Sequence, residues 1–207
     1  MERPTSEQIA ALPLYPALPL DRIHVLRDLA QCEFAERELR LAVHVGFDTE
    51  SKPMFVAGGE QTGPHIVQFA TAEHAFIVHT EAPETADFLR AILESDAIAK
   101  VGFGIVSDRV PLHRKLGVQL SGGVDVSHMV RRLGFQQAVG LRAAVAIVLG
   151  QRMPKSKKVT TSNWATRKLS PQQLQYAAND AHASLLVYQA LLAQPTNDPR
   201  LGPTPPQ

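Results

Sequence analysis

The stretch Leu41 to Phe47, LAVHVGF, is apolar but for one histidine, and it runs straight into Asp48-Thr49-Glu50. Such a run, bounded by polar residues, is the pattern of a buried strand, expected here over Arg40 to Thr49. Side chains alternate faces along a strand, so Asp48 and Glu50 point the same way. Two neighbouring carboxylates repel and are costly to bury without a counter-charge. Either the strand end reaches solvent, or a cation sits between the acids. Asp and Glu oxygens are hard ligands suited to Mg²⁺ or Mn²⁺. A lone D-x-E spacing is common by chance and leaves both readings open.

The rest of the chain mixes β and α patterns. Ile66 to Ala70 and Ala75 to His79 are short strands divided by a polar turn, as in a hairpin. Pro83 to Leu93 has helical apolar spacing, Ile98 to Gly102 reads as a strand, and a helix is expected from about Ser107 to Leu116. Val124 to Val126 suits another strand, and Gly140 to Gly150 a buried helix with glycine at each end. The last helix is the best marked: Ser170 is its N-cap, Pro171 its first residue, and Gln173 completes a capping box. It is expected to run to about Ala193. Small residues at 177, 178, 181 and 183 let that helix lie close to a sheet. Strands followed by alternating α and β predict a mixed sheet covered by helices.

At 207 residues the chain suits one principal domain with one sizeable core. Residues 1–23 read as an extended, Pro-rich arm, 24–193 as the domain, and 194–207 as a disordered Pro-rich tail. The single cysteine, Cys32, excludes a disulfide framework and points to the cytoplasm. The N-terminus does not read as a signal peptide, and no apolar run is long enough to cross a bilayer. Formal net charge is only +1, but it is unevenly spread. Between Asp125 and Asp180 there is no acid, and nine Lys and Arg fall in that interval. The interval is either a solvated face or a surface for a polyanion.

Two further acids belong with the first pair. Tyr176 and Asp180 share a face of the last helix, which alone fits a structural hydrogen bond as well as a functional one. Asp108 falls at the N-terminal end of a helix that follows a strand, where an acid also complements the helix dipole. The order of these features is more specific than any one of them. VGFDTES, then KVGFGIVSD, then SNWATRKLSPQQLQYAANDAHASLLVY resemble the three motifs of the DEDD superfamily of 3′–5′ exonucleases, in its tyrosine branch. That group includes the exonuclease domain of the Werner syndrome helicase, its stand-alone bacterial relatives and, more distantly, ribonuclease D. The likeness covers about residues 24 to 193.

The resemblance implies a ribonuclease H-like α/β fold, a mixed five-stranded sheet flanked by helices. It implies that Asp48, Glu50, Asp108 and Asp180 hold two divalent cations, Mg²⁺ or Mn²⁺, with Asp48 bridging both. Glu50 and Asp180 complete the site for the attacking water, Asp108 serves the second ion, and Tyr176 orients the water. A tyrosine at its ordinary pKa of about 10 is a poor base, so positioning suits it better. The implied substrate is a single-stranded or recessed 3′ end of DNA or RNA, releasing nucleoside 5′-monophosphates. Nucleic-acid contacts are expected from Thr49, Ser51, Lys155, Lys157 and Lys158. Relatives commonly carry an aromatic residue where this chain has Ser51. A helicase or RNA-processing partner is expected on a separate polypeptide. The alternative is a catalytically silent nucleic-acid-binding module; the presence of all four acids and the tyrosine favours the enzyme. Trp164 is expected in the core, and His79 and His182 as structural or surface residues.

Overall fold

In the computed structural model, residues 2–53, 61–137, 139–154 and 157–194 are described. The tail from 195 onward and Lys155 lie outside these residues. A six-stranded mixed sheet forms the frame, in the order β1-β4-β3-β2-β5-β6. Its strands are β1 (Ile23–Leu26), β2 (His44–Glu50), β3 (Ile66–Ala70), β4 (Ala75–His79), β5 (Ala99–Gly102) and β6 (Gly123–Asp125). β2, β3 and β4 form an antiparallel meander, while β5 runs parallel to β2, β6 to β5, and β1 to β4.

The helices are α1 (Ser6–Ala10), α2 (Leu29–Leu41), α3 (Ala86–Leu93), α4 (Arg109–Leu116), α5 (Val126–Arg131), α6 (Leu141–Ala144), α7 (Lys157–Thr160) and α8 (Pro171–Ala193). A π-helical turn, Val145–Leu149, continues α6. One sheet face packs Val45, Phe47, Phe69 and Phe76 against Leu39 of α2, Phe88 and Ile92 of α3, and Leu112 of α4. The other packs Ile66, Ala70 and Ile77 beneath Ala177, Ala178 and Ala181 of α8, with Trp164 fully buried among them. A third cluster joins β5, α5, α6 and the C-terminal half of α8.

The sheet has six strands rather than five. The extra one, β1, is a short edge strand with a histidine in its middle, too brief and mixed to declare itself. The expected strand from Arg40 is shorter as well. Arg40 and Leu41 end α2, whose buried residues Cys32, Ala35 and Leu39 keep helical spacing and whose Glu36 pairs with Arg40 at 2.7 Å. Leu41 and Val43 are 76% and 69% exposed, so their apolar character does not mark a buried strand. Asp108 closes a 3₁₀ turn, Ile105–Asp108, and is the N-cap of α4, at the helix's N-terminal end as expected, whereas Val126 begins α5 instead of ending β6.

α8 starts as its cap requires: Ser170 accepts from the Gln173 amide, and Gln173 accepts from the Ser170 amide. The N-terminal arm lies against it. Tyr15 is buried and its hydroxyl meets His182 Nδ1 at 2.6 Å, while Gln175 donates to the Leu18 carbonyl. The arm's backbone also bonds to Arg152 through Pro13 and Tyr15. Among the described residues, no helix is long and apolar enough to cross a membrane.

Candidate active site

β2 alternates as a central strand must. Val45 and Phe47 face α2 and α3, so Gly46, Asp48 and Glu50 face α8. Gly46 sets the distance between the two elements. A Cβ there would stand 2.0 Å from the Ala181 carbonyl oxygen, so only glycine lets α8 settle on β2. That close approach brings Asp180 beside the strand end. Oxygens of Asp48, Glu50 and Asp180 lie within 4.8 Å of one another, all three residues half-buried.

Asp108 arrives from β5 by way of its 3₁₀ turn. Its carboxylate accepts a 2.7 Å hydrogen bond from the Thr49 hydroxyl, which ties it to the same strand end. The turn is held by Asp125, which accepts from the amides of Gly104 and Ser127 and from the Ser127 hydroxyl. Asp125 thus caps α5 and has a structural task. Tyr176, one turn before Asp180, donates to Asp180 and accepts from Thr160 of α7.

The electrostatics describe a site short of positive charge. Burial, then the charge of Asp180, holds the Asp48 carboxyl well above its ordinary range. Burial, then Asp48, Asp180 and Asp108, push Glu50 to about 9. Burial raises Asp180 to about 7 against the opposing hydrogen bond from Tyr176 and the charge of Arg142. Asp108 rises to about 6 through burial, moderated by its bond to Thr49. The Tyr176 phenol is pushed up by burial and then by Asp180, so it remains a donor. Among the described residues, the ion pairs are Arg37–Glu38, Arg40–Glu36, Arg90–Glu94 and Lys115–Glu81, and none reaches these acids. Clustered carboxylates with raised pKa and no ion pair among the described residues fit hard divalent cations.

Residues 23–194 match the model of the 3′–5′ exonuclease family. The chain belongs to that family. It is 29% identical to the mouse bifunctional 3′–5′ exonuclease/ATP-dependent helicase WRN over 171 residues, which covers 79% of this chain and 12% of that one. It is 31% identical to an Arabidopsis thaliana 3′–5′ exonuclease over 152 residues, covering 71% of this chain and 52% of the relative. Trypanosoma brucei RNase D in complex with RNA U12 superposes with a TM-score of 0.71 at 20% identity, over 91% of this chain and 65% of that one. The last likeness speaks for the fold, which is ribonuclease H-like. This chain therefore spans between about an eighth and two thirds of these relatives.

In this chain, three of the four expected acids form one cluster, and the fourth stands beside it on Thr49. Of the expected nucleic-acid contacts, Thr49 is engaged with Asp108, and Ser51 sits half-buried just beyond β2. Lys157 and Lys158 are exposed on α7, the element whose Thr160 bonds Tyr176. Trp164 is core, as expected, and edges Tyr176 with ring centroids 6.0 Å apart. His182 is structural, held between Tyr15 and the Ala72 carbonyl. The bond between Thr49 and Asp108 and the place of Arg142 near Asp180 had no signal of their own in the sequence. Arg142 was one cation among nine.

Proposed function

We propose that this exonuclease hydrolyses phosphodiester bonds at single-stranded or recessed 3′ ends of DNA or RNA, with two divalent cations, and releases nucleoside 5′-monophosphates. The observation that carries the proposal is the convergence of Asp48, Glu50 and Asp180 from a strand and a helix 130 positions apart in sequence, within 4.8 Å. Asp48 would be shared by both ions; Glu50 and Asp180 would complete one ion's site and Asp108 the other's. Bound there, the cations, Mg²⁺ or Mn²⁺, supply Lewis-acid charge that activates water and offsets charge on the departing 3′ oxygen. The chain's own groups do the rest. The acids must shed their protons to bind metal. Tyr176, a neutral donor locked by Asp180 and Thr160, orients the water rather than taking its proton.

The relatives' names support nucleic acid as substrate: one is a helicase-linked exonuclease, another an RNase bound to RNA. By the same analogy we propose a helicase or RNA-processing protein as partner. The lone, buried Cys32 suits a reducing cytoplasm. The test offers 5′-labelled DNA and RNA, single-stranded and recessed, with each metal. A ladder shrinking from the 3′ end, lost in Asp48→Ala, is the expected result. Internal cuts, or no cleavage of any substrate, would reject the reading.

A further inference from the structure

Beside the acid cluster lies a cleft of about 220 Å³ that shares Tyr176 and Asp180 with it. Met153 and Val159 give it an apolar wall, and Gln175 and Asn179 line it from α8. Among the described residues lining it, Arg142 is the sole cation. Arg142 is exposed and is the second residue of α6. Among the described residues, its guanidinium makes one long hydrogen bond, 3.5 Å to the Met153 carbonyl, and no ion pair. A guanidinium presents five donors in a planar fork that matches phosphate oxygens, so most of this one's capacity is open.

Five other cations of the acid-free interval differ in placement. Arg152 is committed to the Leu12 carbonyl and so to the N-terminal arm. Arg131 and Arg132 line a separate depression with Phe135. Lys157 and Lys158 stand on α7. Of these six, Arg142 alone lines the cleft that Tyr176 and Asp180 also line.

We infer that Arg142 is a further substrate-contacting residue, whose guanidinium grips a phosphate near the 3′ end as the strand crosses the cleft beside Tyr176 and Asp180. The inference rests on the exonuclease reading of the acid cluster and adds to it a phosphate anchor that the four acids cannot provide. An anchor on this side offsets the repulsion between the strand and the carboxylates and fixes the direction from which the 3′ end enters.

The experiment uses the full chain and single-stranded oligonucleotides, each carrying one uncharged methylphosphonate at a different linkage near the 3′ end. Arg142→Ala is expected to lower kcat/KM roughly 10- to 100-fold, the worth of one charge-assisted hydrogen bond, with Arg142→Lys recovering part. One methylphosphonate position should slow the wild type by a similar factor and leave Arg142→Ala no slower than it already is. An Arg142→Ala enzyme as sensitive as wild type at every position would overturn the inference. So would a variant that alters only the pH profile, because that result assigns Arg142 to Asp180 as a counter-charge. A wild type that shortens no oligonucleotide defeats the exonuclease reading itself, and the anchor with it.

Discussion

The four acids form no ion pair among the described residues, and their pKa values say what that means for the metal-free chain. Unfolded Asp and Glu titrate near 4. Folded, Asp180 titrates at about 7 and Glu50 at about 9, chiefly because they are buried, with neighbouring carboxylates adding to the rise of Glu50. The native state therefore holds more protons than the unfolded state between those limits, and stability falls as pH rises from about 4 through 7 and 9. Metal-free protein should melt at a higher temperature at pH 5.5 than at pH 8.5. Adding Mg²⁺ or Mn²⁺ should reverse the order, because only deprotonated carboxylates bind metal. Asp48→Asn should raise the metal-free melting temperature at pH 8.5 and abolish the gain from metal. Melts in chelator and in excess metal decide it; a flat metal-free profile would mean the acids are better solvated than their burial implies. Tyr176 makes a separate prediction. If the phenol positions water, Tyr176→Phe loses roughly 10- to 100-fold in kcat with KM little changed. A loss confined to KM would make the hydroxyl a ground-state contact instead.

Two elements make the site, and their contact depends on one missing methyl group. α8 sits so close to β2 that any side chain at Gly46 meets the Ala181 backbone. Gly46→Ala should destabilise the protein by about 3 kcal/mol or more, since backbone cannot yield as a flexible side chain can. Urea unfolding measures the loss, and a variant of wild-type stability would show that α8 can lift away from the strand. The motif around this contact was readable in the sequence because the chemistry restricts its residues. Carboxylates end a strand, alanines flatten a helix, and Ser170, Pro171 and Gln173 announce where the helix begins. The elements around it were less readable. The apolar letters of Leu41 and Val43 suggested strand, yet both residues face outward where α2 gives way to β2. Edge strand β1 takes its pairing from β4, more than fifty positions away, and nothing in four residues reveals such a partner.

Across the whole molecule, charge is sorted by region. The acid-free interval from α5 to the start of α8 carries nine cations, while the remainder is acidic. The imbalance was visible in the sequence, but its division of labour was not. In space Arg152 is spent on the arm, Arg142 faces the cleft, and Lys157 and Lys158 project from α7. Partial neutralisation of a single strand makes affinity depend on salt, with a slope of about 0.7 per phosphate contact. If both lysines of α7 touch phosphates, Lys157→Ala/Lys158→Ala should flatten the plot of log kcat/KM against log salt by about 1.4, twice that slope. The measurement is a salt series with subsaturating single-stranded substrate. Equal slopes with a uniformly lower rate would show that the lysines act on the placement of Tyr176 through Thr160, whereas equal slopes and equal rates would leave them as solvated surface. A flattened slope makes α7 an element with two tasks, since the residues that hold the strand would lie within one turn of the residue that bonds Tyr176.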